Sequence, residues 1–324
     1  MMTLNFHGVR GSHPVADGNM VSYGGNTACV EVVKINKEGI KVPVILDAGS
    51  GLIKLGYSMA NKFFNNTYSK TFTMLFTHLH PDHTEGFNFF MPNFFSCCTI
   101  HILGMETLKK NVGGVLKSKM VPPTFPIEYK DLKSKRKHGV LSDGQRFYIA
   151  QDGSPVLEHP GPKRPEPLFE IQVMQAFAPS HPQQGSLYYK INDPEDNTSV
   201  VCIWDIESHI GGDVRVIGFA EHADVMIHDA QYTEEEYLST ADPVQGFGHS
   251  TFDMAVENAE KAKVRCLIPF HYNPRHNDDL LDGINEKYRN LKAPVFLMSR
   301  EELSVTLHEG VIVKQETFNS GFSK

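Results

Sequence analysis

The segment THLHPDHTEGF, residues 77–87, holds three histidines and an aspartate within six positions. It continues TFTMLFT, residues 71–77, a run of apolar, aromatic and β-branched residues that reads as a buried strand. His78 and His80 are two apart, so on extended backbone they point the same way. Asp82 and His83 follow Pro81, which ends a regular strand and turns the chain. Imidazole nitrogen and carboxylate oxygen are ligands for a borderline cation such as zinc. The spacing offers one pair of ligands to one ion and the next pair to a second ion nearby. The fold must therefore bring this strand's C-terminal end to an open rim, where loops carry chemistry.

Around this segment the pattern is strands first, then alternation. Residues 3–8, 28–34 and 42–47 read as strands, and GLIKLGYSMANKF (51–63) as a helix. Further on, strands are expected at 170–178, 186–191, 199–204, 224–228, 265–270, 295–298 and 303–307. Helices are expected near 213–222, 253–263 and 278–291. Such an order suggests sheets covered by helices on their outer faces. Residues 106–170, with VPPTFP, KSKRKH and GPKRPEP, stand apart and read as an insertion or lid within a single domain spanning 1–324.

Composition narrows the class. A chain of 324 residues with 40% hydrophobic content can bury a sizeable core. No apolar run is long enough to span a bilayer, and the N-terminus lacks a basic start followed by an apolar segment. Five cysteines without framework spacing fit reduced thiols, so a cytoplasmic protein is expected. A net charge of −7 argues against a large nucleic-acid footprint. The basic run 133–138 reads as a solvated loop that could attract a small phosphate-bearing substrate. The aromatic run 87–95 reads as core, with one phenylalanine available to stack a nucleobase.

The motif T-H-x-H-x-D-H after a strand resembles the signature of the metallo-β-lactamase-fold hydrolases. LDAGSGL (46–52) matches as well. GVRGSHP (8–14), YGGNTACVEV (23–32) and GHST (248–251) resemble the branch of ribonuclease Z and the cyclic-nucleotide phosphodiesterases. The resemblance runs from about residue 3 to 300, with 106–170 matching poorly. It implies an α+β fold, a four-layer αββα sandwich of two mixed β-sheets with helices outside. It also implies three further ligands, for which His181, Asp205 and His271 are the candidates. One ion would be held by His78, His80, His181 and Asp205, the other by Asp82, His83, Asp205 and His271. Asp47 would support the metal loop. Asp229 rivals Asp205 as the bridge, but the resemblance puts it beside His249, as the group that orients that ring. His249 would protonate the leaving oxygen or hold the scissile phosphate, and Asp82 would help orient the attacking water. His13, Asn26 and Ser250 are candidate substrate contacts, and Ser250 or Thr251 would cap the next helix.

The implied function is a phosphodiesterase with two divalent ions, zinc first and manganese or iron otherwise. Its expected substrate is a small phosphodiester, most simply a cyclic nucleotide. One alternative is a ribonuclease Z that processes transfer RNA 3′ ends. Many such relatives carry a long arm between the third histidine and the bridging aspartate, and here that interval is short. Another is a di-iron oxygen-binding or redox protein, whose relatives usually replace one histidine of the first motif with a carboxylate; here all three remain. An exported β-lactamase would use a cysteine ligand where Asp205 stands. Relatives are often homodimers, and neither a nucleic-acid nor a membrane partner is expected.

Overall fold

The computed structural model describes residues 1–107, 110–157, 166–176 and 185–318. The strands of the N-terminal half are β1 Met2–Gly8, β2 Cys29–Ile35, β3 Lys41–Leu46, β4 Thr71–Leu75, β5 Thr99–Gly104, β6 Glu106–Thr107, β7 Lys110–Asn111, β8 Lys135–Val140, β9 Arg146–Ile149 and β10 Pro155–Val156. Those that follow are β11 Phe169–Ala176, β12 Ser186–Asp193, β13 Thr198–Ile203, β14 Val225–Asp229, β15 Cys266–Phe270, β16 Val295–Phe296, β17 Leu303–His308 and β18 Val311–Thr317. The helices are α1 Gly51–Phe64, α2 Val112–Lys119, α3 Val214–Ala220, α4 Glu234–Tyr237, α5 Phe252–Lys261 and α6 Asp278–Tyr288.

Two mixed sheets face each other. One runs β18-β17-β1-β2-β3-β4-β5-β8 and the other β10-β9-β11-β12-β13-β14-β15-β16. Strand alternation divides the side chains between two cores. Val30, Val32, Val44 and Leu46 turn inward and share one core with Val173, Leu187 and Ile191 of the second sheet. Ile45, Phe72 and Met74 turn outward into a second core. There they meet Leu52, Leu55, Met59 and Phe63, which lie three or four apart along one face of α1. α5 lies against β14 and β15 on the far side. Each fully buried valine, leucine or phenylalanine contributes roughly 1.5–3 kcal/mol. The expected αββα sandwich is the observed fold.

Two parallel blocks set up the rim. β3, β4, β5 and β8 run parallel in the first sheet, and β13, β14, β15 and β16 in the second. In such sheets, ligands gather beyond the carboxyl ends of the strands.

The described residues within 106–170 contribute to both sheets. β8 extends the first sheet beyond β5, and β9 and β10 extend the second. The expected solvated loop at 133–138 is therefore mostly an edge strand, and it is largely exposed. Neither α2 nor β18 was foreseen. Among the described residues, no helix is long and apolar enough to cross a membrane.

Candidate metal centre

Four strand ends deliver the site. The loop after β4 carries His78, His80, Asp82 and His83, with Pro81–His83 forming a 3-10 turn. Asp47 follows β3, Asp205 lies just beyond β13, and His271 follows β15. All three adopt positive φ, at 59°, 58° and 66° respectively. Asp and His are among the few residue types besides glycine that tolerate this region. The left-handed residue turns each chain sharply out of its strand, so the side chain stays at the rim.

Three groups of candidate ligand atoms result, the third being Asp229, His249 and His271, which shares His271 with the first. Asp82, His83, Asp205 and His271 each offer one atom, and these lie within 4.8 Å of one another. His78, His80 and Asp205 form a second such group. Asp205 belongs to these two: its Oδ1 lies 3.2 Å from His83 Nε2, and its Oδ2 lies 3.4 Å from His78 Nε2. His83 Nε2 and His271 Nε2 are 3.2 Å apart, and each lies within 3.3 Å of Asp82 Oδ2. His181 lies outside the described residues.

The donor chemistry suits cations. His83 donates from Nδ1 to Asp47 Oδ2 at 2.8 Å, which turns the lone pair of Nε2 toward the cluster. Lone pairs and carboxylates thus converge in a buried space, where uncompensated charge costs several kcal/mol. Burial alone would lower the His83 pKa, but Asp205, Asp82 and Asp47 hold it well above its ordinary value. Burial would raise the carboxylates, yet their imidazole neighbours keep Asp82 and Asp205 well below theirs. His78 is pushed well down, first by burial and then by His83. The cluster is short of positive charge, and divalent ions would supply it.

Asp229 occupies a different place. Its Oδ2 accepts from His249 Nδ1 at 2.8 Å and from the backbone N of Asp205 at 3.0 Å. Despite burial, Asp229 holds the His249 pKa above its ordinary value. The His249 ring stacks on His271, with centroids 4.9 Å apart. His249 therefore sits at the edge of the cluster with its tautomer set by a carboxylate.

The three expected substrate contacts diverge. His13 is exposed. Asn26 is engaged internally, its Nδ2 donating to Glu301 at 2.9 Å and its Oδ1 accepting from Ser50 at 3.0 Å. Ser250 is fully buried, and its hydroxyl donates to the Ile206 carbonyl at 2.6 Å. Its hydrogen-bonding capacity goes to loop structure, because a buried hydroxyl must find a partner inside. Thr251 is the N-cap of α5, accepting from Met254 N.

Other residues of the site were not foreseen. Trp204, the single tryptophan of the chain, donates from Nε1 to Asp47 Oδ2 at 2.7 Å. The backbone N of Ser12 donates to Asp82 Oδ2 at 2.8 Å. Buried Arg10 donates to the carbonyls of Gly24, Asn273 and His276, tying the first loop to the loop after His271. Lys119 of α2 bonds Thr84 of the metal loop. The lone tryptophan and the GVRGSHP segment were available signals; Lys119 had none. Cys202 lies buried in β13 and belongs to none of the metal-ligand groups found among the described residues.

No family model matches the sequence. The Ribonuclease Z of Exiguobacterium sibiricum is 23% identical over 276 residues, covering 76% of this chain and 83% of that one. The Ribonuclease Z of Thermoplasma acidophilum is 25% identical over 289 residues, covering 81% and 89%. Among solved structures, the metallo-β-lactamase fold protein YhfI from Bacillus subtilis superposes with a TM-score of 0.58 at 16% identity. That superposition covers 94% of this chain and 98% of YhfI.

Proposed function

We propose that this chain, similar in sequence to enzymes named Ribonuclease Z and in fold to a metallo-β-lactamase fold protein, cleaves a phosphodiester bond in RNA. The observation that carries the chemistry is the position of Asp205 in two ligand groups at once. RNA is favoured by similarity to enzymes named Ribonuclease Z over more than three quarters of the chain. The net charge of −7 does not oppose this, because it sums over a surface on which charge is unevenly spread.

His78, His80 and Asp205 would hold one ion, with His181 as the expected fourth ligand; Asp82, His83, Asp205 and His271 would hold the other. Zinc suits this set, and manganese or iron would also be accepted. When bound, the ions supply Lewis acidity to the phosphoryl group and to the attacking water. The protein does the rest. Ser12 N fixes the Asp82 carboxylate, which orients the water from one side. Asp229 holds His249 Nδ1, so Nε2 presents a proton to the leaving oxygen. The raised His249 pKa keeps that proton available nearer neutral pH.

A second reading, a small diester such as a cyclic nucleotide, is favoured by one observation. Residues 186–203 are two strands joined by a short turn, so no long arm leaves the domain there. Turnover of a precursor transfer RNA, bis(p-nitrophenyl) phosphate and 3′,5′-cyclic AMP, each with zinc, manganese or iron, separates the two. RNA cleavage that disappears in Asp205→Ala is expected. Cleavage of the cyclic nucleotide alone would favour the second reading. Absence of all diester cleavage would refute both.

A further inference from the structure

Beside the metal loop lies a groove of about 580 Å³, whose lining includes Lys117, Glu128, Tyr129, Lys130, Arg136 and His138. It lies between α2 and the edge strand β8. Strand alternation sorts the basic residues of β8. Arg136 and His138 face α2, where the His138 ring lies against the bare backbone of Gly113. Lys135 and Lys137 point to the opposite face. Lysines on an exposed edge strand are ordinarily explained as a guard against pairing with another chain. That accounts for Lys135 and Lys137; it does not account for Arg136 turned into a groove.

The groove is built, and it is joined to the centre. The Tyr129 ring forms its floor. The Arg136 guanidinium lies 4.7 Å from that ring's centroid and Lys117 Nζ lies 5.8 Å from it. Arg136 is held by bonds to the Ser134 and Tyr129 carbonyls, at 2.6 and 3.1 Å. Tyr129 stacks on Phe87, which follows the metal loop, with centroids 6.0 Å apart. Lys119, at the end of α2, reaches Thr84 within the metal loop. Its pKa is lowered by burial, while Glu85 and Asp82 partly offset that, so its amine lies within the field of a ligand carboxylate. Among the described residues that line the groove, three cations, Lys117, Lys130 and Arg136, outnumber one carboxylate, Glu128, which lies 2.9 Å from Lys130.

We propose that this α2–β8 groove is a phosphate-binding extension of the active site that grips the RNA backbone beyond the scissile bond. The occupant follows from chemistry. Cations on a packed aromatic floor suit phosphates and read no base sequence. The Tyr129 ring is already engaged by Phe87, Arg136 and Lys117, which favours phosphate over base as the occupant. The inference rests on the RNA reading of the metal centre.

Two charge-matched double variants test it. Lys117→Glu/Lys130→Glu reverses two exposed charges in the groove; Lys135→Glu/Lys137→Glu reverses two on the opposite face. The readout is KM for a precursor transfer RNA across a salt series. The groove variant should raise KM about tenfold near 0.1 M salt and flatten the log–log salt slope by roughly 1.4, two single-strand phosphate contacts. The opposite-face variant should stay within about twofold of the parent. If the glutamate variant fails to fold, Lys117→Gln/Lys130→Gln should move KM and slope in the same direction by less. Equal effects from both faces, or none from either, would overturn the groove while leaving RNA cleavage standing. A parent protein that cleaves bis(p-nitrophenyl) phosphate but no RNA would overturn the RNA reading and the groove with it.

Discussion

Asp47 Oδ2 accepts from His83 Nδ1 at 2.8 Å and from Trp204 Nε1 at 2.7 Å. One carboxylate oxygen thus joins the metal loop of the first sheet to the end of β13 in the second. Thr77 also bonds Asp47, through its backbone N and its hydroxyl. Asp47→Asn preserves size and tolerates the positive φ, so it isolates this hold. Metal affinity, read by titration calorimetry, should fall about 10- to 100-fold, as is usual when a ligand's hydrogen-bond partner is lost.

The two ligand groups that share Asp205 predict unequal losses. Asp205 belongs to both, whereas His80 belongs to one. Asp205→Ala should lose nearly all bound metal and all hydrolysis. His80→Ala should lose hydrolysis but keep roughly half the metal, because the other group retains its four residues. Metal analysis by mass spectrometry decides; equal metal content in both variants would argue against a shared Asp205.

His249 and Asp229 should act as a unit distinct from the metal ligands. His249→Ala and Asp229→Asn should each lower turnover by about 10²- to 10⁴-fold, the range of a lost acid–base group, with metal content near the parent's. The double variant should fall little further than the worse single one. Additive losses would mean that the 2.8 Å bond does not couple them functionally.

Gly11 has no room for a side chain. A Cβ there would lie 2.4 Å from the His271 ring and 2.6 Å from Gln231 Oε1. Gly11→Ala should displace His271, weaken metal binding and lower stability by about 1–3 kcal/mol, the usual cost of overpacking. Unchanged metal affinity would mean that the loop gives way and the ring does not.

Glu236 supplies a pH dependence away from the metal. Its carboxylate meets buried His276 Nε2 at 2.9 Å, and the His276 carbonyl accepts from Arg10. Burial would raise the Glu236 pKa, but His276 holds it below the ordinary value. A depressed folded pKa contributes stability above the unfolded value of about 4.3, and that stability is lost as pH falls through the folded pKa. Glu236→Gln should therefore melt lower than the parent above about pH 5, and the gap should close below about pH 4. A gap constant with pH would rule out the linkage.

Local patterns in the sequence carry most of the frame. Alternation in CVEVVKI and the three-and-four spacing in GLIKLGYSMANKF reappear as β2 and α1. The histidine run, Asp205 and His271 converge because each closes or follows a strand. What escaped reading depends on partners far along the chain. Lys119 and Thr84 are separated by 35 residues, and Trp204 and Asp47 by 157, which no periodicity encodes. KSKRKH reads as a loop because its charges mask an edge strand that, among the described residues, pairs with β5 alone. Asn26 and Ser250 read as substrate contacts because they are polar near a site. Their hydrogen bonds are instead used inside, as burial demands of polar atoms.

The candidate ligands come from both sheets: His78, His80, Asp82 and His83 from the loop after β4, Asp205 and His271 from the ends of β13 and β15. A cation held there acts as a rivet through the sandwich, because it binds the folded seam and has no comparable site on the open chain. Mass action then ties endurance to supply: free ion at about 100 times its dissociation constant adds roughly 2.7 kcal/mol. Starved of metal, the molecule would give up toughness along with turnover, and its melting point would report how much ion its surroundings can spare.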